Sequence, residues 1–349
     1  MVDETHTVAD EPGPVRSDVR SDAVRNDVRR MNAVRYHEHG GADVLRVDEV
    51  ERPAPDADEV LVEMRAASVN PVDVMLRSGE YGEIPLPSVP GGDGAGVVSA
   101  AGADVEAFEV GDRVFASGMD RAEGGTFAEY AAVPETKLAR LPEDIPFEEG
   151  AAVANVGATA WTALVEVAGV RPGDRVLVHG GAGGVGHAAV QVAASAGADV
   201  VATAGSADAR DRLRDLGATA VLDYESDSLA EDVLAATGDE GVETVLDHRL
   251  EEYLDLDFRV LAEGGEVVAL MGHVPGTSDV PFYEKELTVR ALRMDNHPVR
   301  GPTLERLVRL MERDDLTAVV ADTYDLDEAA RAHRDLLAGG YVGKLVVTP

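Results

Sequence analysis

The most specific chemical pattern in the chain is a glycine-rich run between an apolar strand and an apolar helix. Three of its glycines fit the spacing G-x-G-x-x-G, in which one turns the chain, one lets the backbone approach a pyrophosphate, and one lets the helix pack on the strand. The N–H groups that open the helix then face the anion. A tight turn without a ligand is the alternative, but the run begins a series of alternating strands and helices, which favours dinucleotide binding. The residues predicted to bind are Gly181, Ala182, Gly183, Gly184, Val185 and Gly186.

The end of the next strand indicates which dinucleotide is bound. A site for NAD usually has a carboxylate there, which accepts a hydrogen bond from the ribose 2′-hydroxyl. This strand ends instead in Gly205 and Ser206, with Arg210 one helical turn later. A 2′-phosphate would meet a hydroxyl and a guanidinium, so the sequence favours NADPH, with Tyr224 after the third strand as a further candidate contact. A solvated role for Arg210 among its acidic neighbours is an equally good interpretation.

The elements that must position these residues alternate between strand and helix in the second half of the chain. Six strand candidates with helical crossovers predict a parallel, doubly wound sheet. They cover residues 175–179, 199–204, 219–223, 244–247, 266–271 and 286–292. The first half shows short alternating runs and glycine turns instead, which predict an irregular, mostly β domain.

This change of texture predicts two domains, and the length of 349 residues agrees, because one hydrophobic core rarely serves so long a chain. Residues 1–30 are polar and loosely repetitive, so we expect a disordered tail there. The catalytic domain is expected over 31–154 and the dinucleotide-binding domain over 155–295. A closing strand near the end is expected to return residues 296–349 to the first domain.

The charge balance limits the partners that this protein can have. Lys and Arg number 31 against 66 Asp and Glu, for a formal net charge of −35. So negative a surface repels phosphate backbones and acidic lipids, which disfavours nucleic acid and membrane surfaces as partners. Molar salt would screen the self-repulsion, so we expect a cytoplasmic protein from a halophile. The absence of cysteine excludes disulfides, thiolate catalysis and cysteine-ligated zinc, and we expect no metal.

Taken together with the glycine turn, a set of ordered motifs resembles one enzyme family. The motifs lie at residues 67–73, 77–81, 90–98, 111–114, 125–130, 159–161 and 343–346. In order and spacing they resemble the medium-chain dehydrogenase/reductase superfamily, specifically its zinc-free quinone oxidoreductase branch, which includes zeta-crystallin. The resemblance implies an α/β chain with a GroES-like catalytic domain, a Rossmann domain, an active site in the cleft between them, and a homodimer joined through the last Rossmann strand.

The resemblance also implies a reaction. The zinc-containing branch has Gly-His-Glu where this chain has Gly91, Gly92 and Asp93. Without that metal, the implied reaction is hydride transfer from NADPH to a quinone or a similar activated carbonyl acceptor. The asparagine of the S-V-N-P motif, Asn70, is implied to lie near the nicotinamide, although a loop asparagine that caps backbone groups is the alternative.

The sequence offers several sources for the proton. Relatives often carry a tyrosine five residues after this asparagine, and here the position is Met75, so Tyr81, a water molecule or the solvent must serve instead. His248 follows the fourth strand where relatives usually have paired glycines, and it either supplies a proton or simply begins a helix. The resemblance further assigns three cofactor contacts, Thr159, Gly272 and Lys344.

Two other functions remain open at this point. An NADPH-dependent 2-enoyl or enone reductase shares the fold and the hydride chemistry, but it must deliver a proton to carbon, and the missing tyrosine argues mildly against it. A cofactor-binding protein without useful turnover belongs to a different class. A filled cleft or a lost Asn70 would favour it, and Asn70 is present.

Overall fold

The computed structural model describes residues 29–82, 84–119, 124–273 and 282–349. The predicted tail over 1–30 lies almost wholly outside the described residues. The described part is an α/β structure with one mostly antiparallel sheet and one parallel sheet, so the predicted fold class is confirmed. None of its helices is long and apolar enough to cross a bilayer.

The first sheet is built mainly from the N-terminal half. In the described part it has seven strands, five of them from this half and two, β14 (Val320–Asp325) and β15 (Lys344–Thr348), from the end of the chain. Their order is β14-β15-β3-β4-β5-β7, with β6 paired to β3, and β1 and β2 form a separate antiparallel pair. Val60 and Val62 alternate along β3 and pack with Val114 and Val133 in a small core. The strands of this half are β1 (Arg30–Arg35), β2 (Arg46–Glu51), β3 (Glu59–Ser68), β4 (Asp93–Ala101), β5 (Arg113–Ser117), β6 (Tyr130–Pro134) and β7 (Leu138–Arg140).

The second sheet is the predicted parallel one. Its strands are β8 (Arg175–Val178), β9 (Asp199–Thr203), β10 (Ala220–Leu222), β11 (Val242–Asp247), β12 (Leu261–Ala269) and β13 (Thr288–Ala291). In the described residues they lie in the order β10-β9-β8-β11-β12-β13. The order reverses between β8 and β11, and ligands of such sheets bind at the carboxyl ends of the strands beside that reversal.

Helices cover the sheets and join them. They are α1 (Pro71–Ser78), α2 (Phe147–Trp161), α3 (Gly184–Ser195), α4 (Ala207–Asp215), α5 (Leu229–Ala236), α6 (Leu250–Val260), α7 (Gly301–Met311) and α8 (Ala329–Ala338), with a π-helical segment at Thr162–Val167. Helix α2 is rich in alanine and packs against both β4 and α3. Phe115 of the first sheet and Val178 of the second therefore belong to one buried cluster.

The end of the chain returns to the first sheet. Strand β14 (Val320–Asp325) pairs in parallel with β15 (Lys344–Thr348), and β15 pairs antiparallel with β3. Just before β15, the N–H of Gly343 donates to the carbonyl oxygen of Ala182 at 2.9 Å. The closing strand thus links the first sheet to the glycine turn of the second.

Candidate active site

The chain turns sharply at the predicted glycine run, but its left-handed residue is Gly180, one position before the first glycine of the motif. Gly180 adopts a left-handed conformation with φ of 62°. A Cβ on Gly186 would lie 2.1 Å from the carbonyl oxygen of Gly180, so only glycine lets α3 approach the turn this closely. A Cβ on Gly183, the N-cap of α3, would meet nothing nearer than 3.3 Å, which leaves bare backbone open to a ligand.

The charge at the start of α3 also suits an anion. Helices α4, α5 and α6 of the same sheet begin with acidic residues, among them Asp208, Glu231 and Glu251. The first turn of α3 has none, although the chain carries 66 acidic residues. The N–H groups of a first helical turn lack intrahelical partners and attract negative charge. Backbone and charge together therefore fit the pyrophosphate of a dinucleotide.

The four residues predicted near the ribose come together at the ends of β9 and β10. Ser206 caps α4, and its Oγ accepts from the backbone N–H of Ala209 at 3.1 Å. The ring of Tyr224 covers Gly205 so closely that a Cβ there would lie 2.7 Å from the phenol oxygen. Arg210 extends back to this corner, where its Nη1 donates to the carbonyl oxygen of Gly205 at 3.0 Å.

A carboxylate also lies at this corner. The absence of an acid from the end of β9 was the reason to favour NADPH, and that strand indeed has none. Asp223, however, follows the neighbouring strand β10, and its Oδ2 accepts from Nη1 of Arg210 at 3.0 Å. The carboxyl ends of adjacent parallel strands meet at one sheet edge. The position of Asp223 at the end of the next predicted strand is therefore the sequence signal that could have identified it.

Asn70 lies at the centre of a buried polar row. Its Nδ2 donates to Oδ2 of Asp93 at 2.6 Å, and its Oδ1 accepts from Nζ of Lys344 at 2.8 Å. All three residues are buried: Asn70 is 3% exposed, Asp93 is 1% exposed and Lys344 is 4% exposed. Because a cation holds the oxygen and a carboxylate holds the nitrogen, the amide has one favoured orientation. Asn70 is also the N-cap of α1, so its capping role and its position in this row coexist.

Lys344 connects this row with the glycine turn. Its Nζ also donates to the carbonyl oxygen of Val69. Its Cδ packs so closely on Gly184 that a Cβ on that glycine would lie 2.8 Å from it. Burial lowers the pKa of its ammonium to about 8, while the nearby carboxylates of Asp93 and Asp73 act in the opposite direction. The aliphatic stem therefore contacts the predicted cofactor turn, whereas the charge faces Asn70.

The other predicted catalytic residues lie apart from Asn70, and no contact among the described residues joins them to it. Tyr81 is 42% exposed, and the guanidinium of Arg293 lies 5.8 Å from its ring centre. His248 is exposed overall, but its ring lies against Gly180, and this partial burial lowers its pKa below that of a free histidine. Helix α6 begins at Leu250, as the helix-start interpretation predicts, and Arg249 pairs with Glu252 of its first turn. Roles for Tyr81 and His248 stay predictions.

Two further predicted contacts have structural partners of their own. The hydroxyl of Thr159 in α2 donates to the carbonyl oxygen of Asn155 at 2.8 Å. Gly272 has φ of 105°, and a Cβ there would lie 2.5 Å from the carboxylate of Glu251. These contacts explain the local backbone, and cofactor binding by either residue stays a prediction.

The sequence did not indicate the buried polar cluster at the reversal of strand order. Nε2 of His179, after β8, lies 2.9 Å from Oδ1 of Asp257 in α6, and the ring of Tyr253 stacks on the imidazole at 4.3 Å. Burial lowers the pKa of His179 and raises the pKa values of Asp257 and of the neighbouring Asp247. A histidine at the end of an apolar strand was the only local sign of this cluster.

Within the described ranges, no group of three or more histidine, cysteine, aspartate or glutamate side chains could hold a metal ion. Gly92 stands beside Asp93 at the position where the zinc-containing branch has histidine.

Comparisons with known proteins agree with this architecture. Residues 56–143 match the alcohol dehydrogenase GroES-like domain, and residues 184–313 match the zinc-binding dehydrogenase family. A quinone oxidoreductase from Pongo abelii is 32% identical over 327 residues, covering 91% of this chain and 97% of that protein. The chain belongs to the medium-chain dehydrogenase/reductase superfamily.

Solved structures of other superfamily members have the same fold. An NAD-dependent alcohol dehydrogenase superposes with a TM-score of 0.85 at 33% identity, covering 91% of this chain and 100% of that one. A quinone oxidoreductase from Escherichia coli, complexed with NADPH, gives a TM-score of 0.83 at 29% identity, with 91% and 100% covered. As a medium-chain dehydrogenase/reductase, this protein is an oxidoreductase.

Proposed function

We propose that this medium-chain dehydrogenase/reductase uses NADPH to reduce a quinone or a similar activated carbonyl acceptor without zinc. The observation that carries the proposal is the buried row of Lys344, Asn70 and Asp93, joined to the glycine turn by the closing strand. Similarity to quinone oxidoreductases, one of them solved with NADPH, supports the cofactor and the acceptor class.

The glycine turn and α3 would hold the pyrophosphate through backbone N–H groups. A bound nicotinamide cofactor supplies a hydride, and the protein supplies its orientation and a dry, polar surrounding. Ser206, Arg210 and Tyr224 would surround the adenosine ribose at the corner formed by β9 and β10.

Asn70 would supply the hydrogen bond that the acceptor needs. Its amide nitrogen carries two hydrogens, and one is donated to Asp93. Among the described residues the other has two contacts of 3.4 Å, with the carbonyl oxygen and the hydroxyl oxygen of Ser68, and both are too long for a strong hydrogen bond. This N–H is the candidate donor to an oxygen that gains negative charge when the acceptor takes up hydride. Lys344 and Asp93 keep the amide in the orientation that directs nitrogen rather than oxygen to it.

A quinone suits the absence of a positioned acid. Addition of one hydride to a quinone gives a hydroquinone anion, and water can protonate its oxygen. Saturation of a carbon–carbon double bond would instead require a proton at carbon, and Met75 stands where a tyrosine donor would be expected. The lack of cysteine and the glycine at position 92 support zinc-independent chemistry, because two kinds of expected ligand are missing.

The test is the oxidation of NADPH and of NADH with a naphthoquinone, a 2-enal and a 2-enoyl-CoA as parallel acceptors, in the presence of a chelator. We expect quinone-dependent turnover that the chelator leaves unchanged. In Asn70→Ala, turnover should fall by about 100-fold while cofactor affinity changes little, since one oxyanion donor is lost. Asn32→Ala is the matched control, because Asn32 lies in the separate β1–β2 pair and, among the described residues, its exposed side-chain amide bonds only to Glu129.

The other outcomes identify the alternatives. Turnover of the enal or the enoyl-CoA alone would replace this proposal with a reductase acting on carbon–carbon double bonds. Tight NADPH binding without oxidation by any acceptor would support a non-catalytic protein. Loss of quinone turnover with the chelator, restored by zinc, would contradict the metal-free mechanism.

A further inference from the structure

We propose that Asp223 determines the cofactor preference of this protein by weakening its selectivity for the 2′-phosphate. The inference rests on the proposed function, because it requires a nicotinamide dinucleotide on the glycine turn. It concerns an acidic residue that the sequence pattern did not single out, in the corner where Ser206, Arg210 and Tyr224 meet.

The position of Asp223 follows from the parallel pairing of β9 and β10. Leu222 lies beside Thr203 in register, so the residues that follow each strand share one edge of the sheet. Oδ2 of Asp223 accepts from Nη1 of Arg210, while Oδ1 accepts from the N–H of Glu225 at 3.0 Å and closes the turn after β10. The carboxylate is thus held at this edge by two independent hydrogen bonds.

Arg210 does not depend on Asp223 for its direction. The same Nη1 also donates to the carbonyl oxygens of Ala204 at 3.1 Å and Gly205 at 3.0 Å. Its Nη2 and Nε form no hydrogen bond with the described residues, so this face of the guanidinium is open to a phosphate. The carbonyl oxygens would keep the side chain in place even without the carboxylate.

The carboxylate therefore acts mainly through its charge. It offsets the cation that a 2′-phosphate would bind, and it repels the phosphate itself. A 2′-hydroxyl can instead donate to a carboxylate, as in sites that prefer NAD. Both side chains are partly solvated, at 24% exposure for Arg210 and 41% for Asp223, so the repulsion is moderate and sensitive to salt. We therefore expect a mixed cofactor preference. This site should favour NADPH over NADH far less than a site whose arginine has no carboxylate partner.

The experiment uses the full chain and two fragments of the cofactors, 2′,5′-ADP and 5′-AMP, with binding measured by calorimetry at about 0.2 M and about 2 M KCl. Asp223→Asn removes the charge and keeps one hydrogen-bond acceptor, and Asp223→Ala is a second variant. We expect either change to tighten 2′,5′-ADP binding by about five- to tenfold at the lower salt, and by less at the higher salt. Binding of 5′-AMP should not tighten, and in Asp223→Ala it should weaken by about twofold because its 2′-hydroxyl loses an acceptor.

Asp227→Asn is the matched control. It lies in the same loop, is exposed, and changes the net charge equally without touching Arg210. Unchanged or weaker 2′,5′-ADP binding in both Asp223 variants would overturn the inference, because Asp223 would then organise Arg210 rather than oppose the phosphate. An equal gain in Asp227→Asn would also overturn it. If the wild-type chain binds neither fragment and neither complete cofactor, the proposed function itself fails. If the wild type binds the cofactors but the Asp223 variants do not gain affinity for 2′,5′-ADP, only the inference about Asp223 fails.

Discussion

The two ends of the proposed cofactor site each combine a basic and an acidic side chain, in direct contact at one end and bridged by an amide at the other. At the adenosine end, Arg210 and Asp223 meet in partial contact with solvent, with 24% and 41% of their side chains exposed. At the end proposed for the nicotinamide, Lys344 and Asp93 hold the oxygen and the nitrogen of the Asn70 amide, and all three residues are buried. In water a charge pair adjusts affinity by small amounts, whereas in the interior removal of one partner leaves the other uncompensated. We therefore expect the exposed pair to adjust cofactor selectivity and the buried row to fix the orientation of Asn70.

Lys344→Met tests the buried end and should have the largest effect. Loss of the amine leaves the carbonyl oxygen of Val69 and Oδ1 of Asn70 without their donor, which a neutral lysine would still provide. We expect the free energy of unfolding to fall by about 3–5 kcal/mol. Turnover should fall by about 100-fold, because the amide of Asn70 is no longer held in one orientation. Denaturant unfolding and steady-state kinetics measure the two effects.

Lys344→Arg keeps the charge and separates these effects. This variant should recover much of the lost stability and little of the turnover, since a guanidinium differs in shape from an ammonium. If Lys344→Met stays as stable and as active as the wild type, the buried row does not position Asn70, and the contrast between the two ends disappears.

The pH dependence sharpens the same contrast. Burial lowers the pKa of Lys344 to about 8, so this group loses its charge above that pH in the folded protein. Between about 8 and about 10.4 the unfolded chain binds more protons at this group, so its contribution makes the fold more stable as the pH rises. Turnover should fall several-fold over the first part of this range, because Asn70 loses a charged donor. Stability and turnover are thus expected to change in opposite directions.

Profiles of kcat and of unfolding free energy between pH 6 and pH 10 measure this opposition. In Lys344→Arg the step near pH 8 should be absent, since arginine remains protonated throughout this range. A parallel fall of stability and turnover in the wild type would instead assign the step to general unfolding.

How much the sequence predicted depends on how local each feature is. The glycine turn is contiguous, and its interpretation needed only the spacing of glycines and the apolar strand and helix beside them. The predicted parallel sheet followed from periodicity, although β12 begins at Leu261, five residues before the predicted start, where a bridge to Val242 precedes a bulge. The bond between Lys344 and Asn70 joins residues 274 positions apart, and no local pattern reports such a pairing. The sequence analysis named Tyr224 but not Asp223 beside it, because the NAD motif places its acid at the end of the second strand and the pairing of Asp223 with Arg210 appears only in the folded sheet.

Arg210→Gln tests the exposed end and should have the smallest effect. Because Asp223 already offsets the guanidinium, we expect NADPH affinity to fall by only about three- to fivefold at low salt, with NADH changing less than about twofold. Arg214→Gln is the control, since that arginine pairs with Asp211 elsewhere on α4. Cofactor fluorescence titrations measure these affinities. Rising KCl should reduce the difference in NADPH affinity between the wild type and the variant further. A loss of NADPH affinity near 100-fold would mean that Arg210 binds the phosphate with its full charge, and the two ends would then differ in position but not in strength.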